Sequence, residues 1–422
     1  MAMAGARAAA WRVLRRSGEA GIHTAKAHAE AARAAAKGGG GAKSLARKLW
    51  EGNLAAKEPT AAPDTPLAAA MAVAWPGTLA VSVAANASAA GGVGTLVLPR
   101  PLDGPPRVFG VRLVGELEGW VDGYDVGIAV ARSVPSSCDV VEFHGPGTES
   151  LSVADAMAMC YVASNSNTAA LFPPTERIVR GWGNMRDDDV AEAVAVGRAA
   201  AEEEAPRAWA PDDGVAYDAG ETEIDLSATE PSICLADDPA CSWTLSAFAQ
   251  GDADLPWGAG TGLRMTGAAD GDATDDDDRD DSLHDFAIGV PSHLGTHTDV
   301  RRAAHIASQA TKRGLCFCTP SVSLVLGSPD EAKVARRRRY VEDLEKAGAV
   351  VREPSQLAAT TKRLRPSFRA AADGTGLFAN PQVTACLALA GDLAFDPRVH
   401  RLSDENGDAF ELTSTSHGGD DA

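Results

Sequence analysis

Hydrophobic and polar positions along this 422-residue chain recur with different periods in different stretches, and those periods predict its elements. Residues 111–117 alternate with period two, as a half-buried strand does, and a turn near Gly123 leads into an apolar helix start at Val126. Residues 139–178 read as strand, turn and helix in succession, with Ser152 and Asp155 at capping-box spacing where the helix opens. Residues 186–206 intersperse acids with Ala and Val, a solvent-facing helix, and residues 214–226 run into a further strand. The last third is the clearest. Residues 285–290 form a buried strand, 299–313 a helix ending at Gly314, and 315–319 the next strand. Ser328, Pro329 and Glu331 then combine an N-cap, a proline at the first helical position and a capping-box acid. The helix they open runs to Gly348 with Val334, Val341 and Leu344 on one face, and apolar character resumes at residues 349–351. This β-α-β-α-β succession implies a parallel sheet flanked by helices.

Charge divides the chain. Lys and Arg number 39 against 58 Asp and Glu, a net charge of −19, which argues against a non-specific nucleic-acid binder or a polybasic membrane-surface protein. No apolar run reaches the ~18 residues of a membrane-spanning helix. The first 50 residues nevertheless hold ten Lys/Arg against only Glu19 and Glu30. Arg7, Arg12, Arg15, Arg16, Lys26, Arg33 and Lys37 among alanines have the profile of an organelle transit peptide, with a disordered cytosolic extension as the alternative. Mitochondrial import is the expectation, and a plastid or cytoplasmic location the alternative. Residues 270–281 carry eight aspartates without the glycine and terminal glutamate register of a calcium loop, and read as a solvated linker. In the basic run 336–339, the spacings Arg338–Glu342 and Arg339–Asp343 point to a solvated helix face.

Seven scattered cysteines, an odd number without a C-x-x-C, fit a reducing compartment. Strand alternation would place Cys316 and Cys318 on one face, as buried apolar thiols. His293 and His297 are four apart, with His284 and His305 near along the chain, but Gly295 and Thr296 between them favour a loop over a helical zinc site.

Several stretches, in chain order, resemble the large-subunit fold of the aconitase superfamily. Residues 140–151 (VVEFHGPGTESL), 157–173 (MAMCYVASNSNTAALFP), 225–231 (DLSATEP) and 380–391 (NPQVTACLALAG) are similar to its segments, as is Asp396–Pro397–Arg398. Asp125 stands where the family has the acid of an "AKD" turn. The overlap covers roughly residues 107–400, with gaps, and the wording is nearest to homoaconitase and 3-isopropylmalate dehydratase large subunits. The resemblance implies an α/β fold of aconitase-like α/β/α sandwich domains with mostly parallel sheets. It also implies hydro-lyase chemistry on hydroxy-polycarboxylates, with a [4Fe–4S] cluster on three cysteines leaving one iron open as a Lewis acid, and arginines clamping carboxylates. A small-subunit swivel domain is the implied partner and a small carboxylate the implied ligand.

The departures fall on the chemistry. Residues 81–88 offer no cysteine where the first ligand belongs, Ser292 or Pro291 takes the place of the second, and the segment holding the third is missing between Gln356 and Leu357. Ser164 stands where the family has a glutamate and Tyr124 where it has a lysine. Arg363, Arg365 and Arg369 remain as candidate carboxylate ligands beside Asp125, in place of the family's arginine motif. No cofactor is expected to be retained. The expected organisation is a leader and linker over residues 1–43, a truncated first α/β/α region over 44–226, a connecting segment over 227–282, a second α/β/α domain over 283–400 and an acidic tail over 401–422. Three readings stay open: a divergent, inactive family member, a working hydro-lyase whose chain is incomplete or rearranged, and a non-enzymatic interaction protein.

Overall fold

The computed structural model describes residues 42–48, 104–164, 168–173, 175, 177, 211–236, 238–251, 286–288, 297–318, 322–326, 329–352, 368–369 and 376–415. The leader before residue 42, the acidic helix expected at 186–206 and the aspartate run at 270–281 lie outside the described residues.

The first unit is an all-parallel sheet. β1 (Val108–Val114) pairs with β2 (Val140–His144), β3 (Ala169–Leu171) lies beyond β2, and β4 (Glu221–Asp225) pairs with the other edge of β1. Parallel neighbours need crossovers, which α1 (Gly123–Ala131) and α2 (Val153–Ala163) supply. Successive side chains point to opposite faces. Phe109, Val111, Leu113, Val141 and Phe143 pack with α1 and α2, whereas Val108, Val140, Ala169 and Leu171 face Leu45 and Ala46. All eleven residues of α2 are buried, and for that reason its sequence shows no polar stripe. β1 starts earlier than the alternation suggested, and α1 starts at Gly123 because Asp122, not a later residue, caps it.

β5 (Ser232–Leu235), β6 (Ser242–Thr244) and the short α3 (Leu245–Ala249) follow. A second parallel sheet then runs β7 (Phe286–Ile288), β8 (Val322–Val325), β9 (Val350–Arg352), as the β-α-β-α-β pattern required. Its crossovers are α4 (His297–Thr311) and the pair α5 (Pro329–Arg337) and α6 (Tyr340–Lys346). β10 (Phe368–Arg369) and β11 (Gly376–Ala379) join β5 and β6 in an antiparallel sheet, order β10-β11-β5-β6, that the sequence did not announce. α7 (Pro381–Ala390) packs on α4, and β12 (Leu402–Ser403) pairs with β13 (Ala409–Phe410).

Four expectations are corrected here. Residues 315–318 are not a strand: the Leu315, Phe317 and Cys318 N–H groups donate to the carbonyls of Ala310, Ala347 and Ala388, at the ends of three helices. The strand forms later, at β8. Alternation survives, because Phe317 points inward, but Cys316 and Cys318 are exposed rather than buried. The helix expected from Ser328 to Gly348 is two helices, broken where Arg339 adopts φ 66°, a left-handed conformation costly for a residue with a Cβ. The break also changes the pairing. Arg339 bonds Glu342 through Nε at 2.8 Å, three residues on, and not Asp343. The face is solvated, as expected.

Candidate functional site

The N-terminus of α1 brings chemistry into the interior. Asp122 caps the helix by accepting from the Tyr124 N–H at 2.9 Å, and Asp125 Oδ2 accepts from the Asp122 N–H at 2.9 Å, a reciprocal capping box. Beside it Ser152 caps α2, and its hydroxyl donates to Asp155 Oδ2 at 2.6 Å. The two helix starts touch at Gly123, where a Cβ would meet the Asp155 carbonyl oxygen at 2.1 Å. The Gly123 N–H therefore reaches Asp155 Oδ1 at 3.1 Å.

Into this acidic junction α4 inserts Arg302, which is 0% exposed. Its Nη1 donates to Asp122 Oδ2 at 3.2 Å and its Nη2 to Asp155 Oδ1 at 2.9 Å. One turn earlier on α4, Asp299 accepts from the Tyr124 hydroxyl at 3.1 Å. Asn380 caps α7 and donates to Asp125 Oδ2 at 2.8 Å and to the Trp120 carbonyl at 2.9 Å. The Ser232 N–H completes the set on Asp125 Oδ1 at 2.8 Å. Four carboxyl groups thus surround one guanidinium, and all five side chains are buried.

Burial disfavours charge, and four ionised acids would leave the cluster with a large uncompensated negative charge. The protonation states follow. Burial pushes Asp125 up to about 7, against the pull of the Asp122 and Ser232 N–H groups, the Asn380 amide and Arg302. Burial raises Asp122 well above the carboxylate range too, opposed by Arg302 and reinforced by Asp125, Asp155 and Asp299. Burial alone would weaken the Arg302 charge, but Asp155, Asp122 and Asp299 outweigh it and hold the guanidinium protonated. A closed set of this kind ties elements together. It presents no group to a dissolved substrate.

The Asn380–Trp120 bond leads from the cluster to the surface. Trp120, Pro397, Arg398, Val399, His400, Glu411 and Leu412 line a cleft of about 340 Å³. Arg398 folds onto the Asp396 of its own motif, Nη2 to Oδ2 at 2.8 Å, and also reaches Glu230 Oε2 at 3.3 Å. His400 Nδ1 accepts from the Asp396 N–H at 2.9 Å, which places the proton of the neutral ring on Nε2.

Of the residues expected to form a site, Asp125 is in the buried cluster. Arg363 and Arg365 lie outside the described residues. Arg369 contributes backbone to β10, opposite Gly376, and its side chain is outside the description. Ser164, where the resemblance calls for a glutamate, ends α2 with its hydroxyl donating to the Tyr161 carbonyl at 3.2 Å. His297 opens α4, and burial together with Arg301 and Arg338 lowers it to about 4; His293 lies outside the described residues. Asp122, Asp299 and Arg302 were missed. The Asp-x-x-Asp spacing at 122–125 was a readable capping signal, whereas nothing local marks Arg302 as buried.

A three-thiolate cluster site can be tested against the thiols. Cys138, Cys160, Cys234 and Cys386 are buried, Cys241 is half-buried, and Cys316 and Cys318 are exposed. Burial pushes the Cys138 thiol up to about 11 and raises Cys160 and Cys386 further from the thiolate form that binds iron. Among the described residues, no group of three or more His, Cys, Asp or Glu is placed to hold a metal ion. No helix of the described residues is long and apolar enough to cross a membrane.

The model of the aconitase family (aconitate hydratase) matches residues 99–360, and the chain belongs to that family. The mitochondrial aconitate hydratase of Schizosaccharomyces pombe is 24% identical over 378 residues, covering 80% of this chain and 44% of that protein. The mitochondrial aconitate hydratase of Aspergillus fumigatus is 24% identical over 334 residues, covering 73% of this chain and 38% of that protein. The chain spans less than half the length of these relatives. Aconitase X of Thermococcus kodakaraensis, a solved structure, aligns at 11% identity with a TM-score of 0.28, over 59% of this chain and 43% of that one. The two fungal relatives are aconitate hydratases, where the motif wording had pointed to homoaconitase and 3-isopropylmalate dehydratase.

Proposed function

We propose that this chain is a cluster-less aconitase-family protein that keeps part of the hydro-lyase scaffold and binds a hydroxy-polycarboxylate without dehydrating it. The observation that carries this reading is the placement of its cysteines: Cys138, Cys160, Cys234 and Cys386 are buried, and burial holds Cys138, Cys160 and Cys386 away from the thiolate form. Ser164 reinforces it, since a hydroxyl engaged in a helix C-cap supplies no carboxylate for proton transfer. Arg363, Arg365 and Arg369 are the proposed carboxylate contacts, and a swivel-type small domain on a separate chain is the proposed partner. The basic first 50 residues and the mitochondrial names of the relatives support a mitochondrial location. The test is anaerobic purification, iron and sulfide assay, reconstitution, and turnover on citrate, isocitrate, homocitrate and 2-isopropylmalate. Iron far below one cluster per chain and no turnover are expected. A stoichiometric [4Fe–4S] signal or measurable dehydration overturns the reading.

A second reading rests on length. Because the chain spans less than half of the relatives it matches, it can be part of a longer working hydro-lyase, of the aconitate, homoaconitate or isopropylmalate type. A longer transcript encoding the "SCTN" and "GCGPC" segments would establish that reading.

A further inference from the structure

Glu142 lies in the middle of β2 and points to the sheet face opposite α1 and α2. It is fully buried, and its oxygens are taken by backbone from the far amino-terminal side of the chain. Oε1 accepts from the Leu45 N–H at 2.9 Å and Oε2 from the Ala46 N–H at 2.6 Å. The Tyr217 hydroxyl donates to Oε1 at 3.1 Å. Tyr217 reaches that position because Gly110 has no side chain; a Cβ there would meet its ring at 2.3 Å. Leu45 and Ala46 pack on Val108, Val140, Ala169 and Leu171, so the same two residues satisfy a buried charge and cover an apolar face.

The segment is also tied at both ends. Ser44 Oγ accepts from the Arg47 N–H at 3.1 Å. The Lys43 N–H donates to Asp212 Oδ2 at 2.8 Å, and the Asp212 N–H donates back to the Lys43 carbonyl at 2.9 Å. Lys48 Nζ pairs with Asp212 Oδ1 at 2.6 Å.

We propose that residues 43–48 are a fixed part of the mature fold, so that proteolytic removal of the basic amino-terminal stretch ends upstream of Lys43. The boundary between leader and body expected from composition at residue 43 thus moves ahead of that residue. Hydrolysis within the segment would add one water across a peptide bond, leave a carboxylate and an α-ammonium, and free the donors that Glu142 needs. Burial already raises the Glu142 carboxyl, and the Ala46 and Leu45 N–H groups, the Tyr217 hydroxyl and Lys48 hold it back. Loss of the segment removes the Leu45 and Ala46 donors and the Lys48 charge and leaves the buried acid with the Tyr217 hydroxyl, which is costly whether it ionises or not.

Lys43, Arg47 and Lys48 make the segment rich in trypsin sites, so its protection is measurable. The full chain is digested briefly with trypsin and, separately, with a mitochondrial matrix extract, and new amino termini are read by mass spectrometry. Cuts after Lys43, Arg47 and Lys48 should be at least about 100-fold slower than in a free peptide of residues 40–52, because they require the segment to open. Stable products should begin at or before residue 43. A stable product beginning within or beyond residues 44–48, with an unchanged denaturant midpoint, overturns the proposal. A chain beginning at Leu49 gives the second measure. Its midpoint, or its refolding yield if it does not fold alone, should rise when a peptide of residues 40–50 is added. Equal midpoints for chains starting at Ala42 and Leu49, or no response to the peptide, also overturn it. Glu142→Gln, which sets an amide NH2 against an N–H donor, should speed the three cuts in the full chain.

Discussion

Arg302 Nη2 lies 2.9 Å from Asp155 Oδ1, both side chains closed to solvent, and the pair joins helices that belong to the two parallel-sheet units. The second arm of the guanidinium, on Asp122, makes the contact a fork across two helix N-termini. A buried pair of this kind is held together more by the cost of breaking it than by net attraction. Arg302→Met should therefore destabilise the fold by about 3–5 kcal/mol, because it leaves Asp122 and Asp155 without their cation. Arg302→Lys keeps the charge but loses the fork, and should fall between. Urea denaturation of the three proteins checks the order.

Asp125 makes the stability depend on pH in a direction opposite to that of a salt-bridged acid. Its carboxyl is raised to about 7 in the folded chain, so the native state holds a proton that the unfolded state releases above the ordinary carboxylate value near 4. Its stabilising contribution is complete below pH ~4 and is lost as pH rises through 7. His297, lowered to about 4, acts the other way, losing stability as pH falls below its ordinary value. Comparing Asp125→Asn with the parent isolates the acid. The variant should pay a constant offset, and its slope of unfolding free energy against pH between 5 and 7 should be more positive by roughly 1 kcal/mol per unit. Parallel profiles would refute this.

Gly123 is required by space, not by backbone angle. The Cβ of Gly123→Ala would sit 2.1 Å from the Asp155 carbonyl oxygen and 2.6 Å from its Cα, so α1 and α2 must move apart. A loss of about 3 kcal/mol is expected, at the upper end for overpacking a fixed contact. Gly119→Ala is the control. It has φ +60° and nothing within 4 Å, and should cost only the left-handed penalty of about 1–2 kcal/mol. Thermal unfolding of both variants distinguishes crowding from strain.

Asn380 caps α7 and bonds Asp125 in one side chain. Asn380→Ala should cost about 2–3 kcal/mol, one part for the cap and the rest for the buried partners left behind. Asn380→Asp keeps the capping oxygen but sets a fifth carboxyl against Asp125. Its deficit should grow with pH more steeply than that of the alanine variant, whose deficit also grows because the amide that favours ionised Asp125 is gone. Denaturant midpoints at pH 5 and pH 8 check this.

Thiol chemistry tests the cysteine environments directly. Cys316 and Cys318 are exposed and Cys241 half-buried, whereas the other four are buried. A disulfide-exchange dye should modify Cys316 and Cys318 quickly in the native protein, Cys241 more slowly, and the other four only on unfolding.

Several elements could be read from the chain because their causes are local. The Ser152 cap of α2, the strand at β7, the helix α4 ending before a positive-φ glycine at 314, and the parallel sense of the second sheet follow from period, capping and turn chemistry. The resemblance was readable in the same way, since residues 140–173 and 380–398 carry their motifs in contiguous runs. The α5–α6 break was not readable, because a basic run of good helix formers gives no sign of Arg339 turning left-handed. Nor was the outward face of Cys316 and Cys318, since alternation gives a period and not a direction.

The site divides along the same line. Asp125 stood out in the sequence because it matched a motif, and Asp122 and Asp155 carried capping spacing. Arg302 sits 180 residues from Asp122 and 147 from Asp155, and Asn380 sits 255 from Asp125. Sequence by itself determined the family, the helices and strands with local capping or period signals, and where the acids lie along the chain. Only the tertiary structure decided that four of those acids share one arginine in a closed interior and that Glu142 takes the amino-terminal segment. Burial and charge pairing are sums over neighbours brought together by packing, and one-dimensional spacing does not contain them.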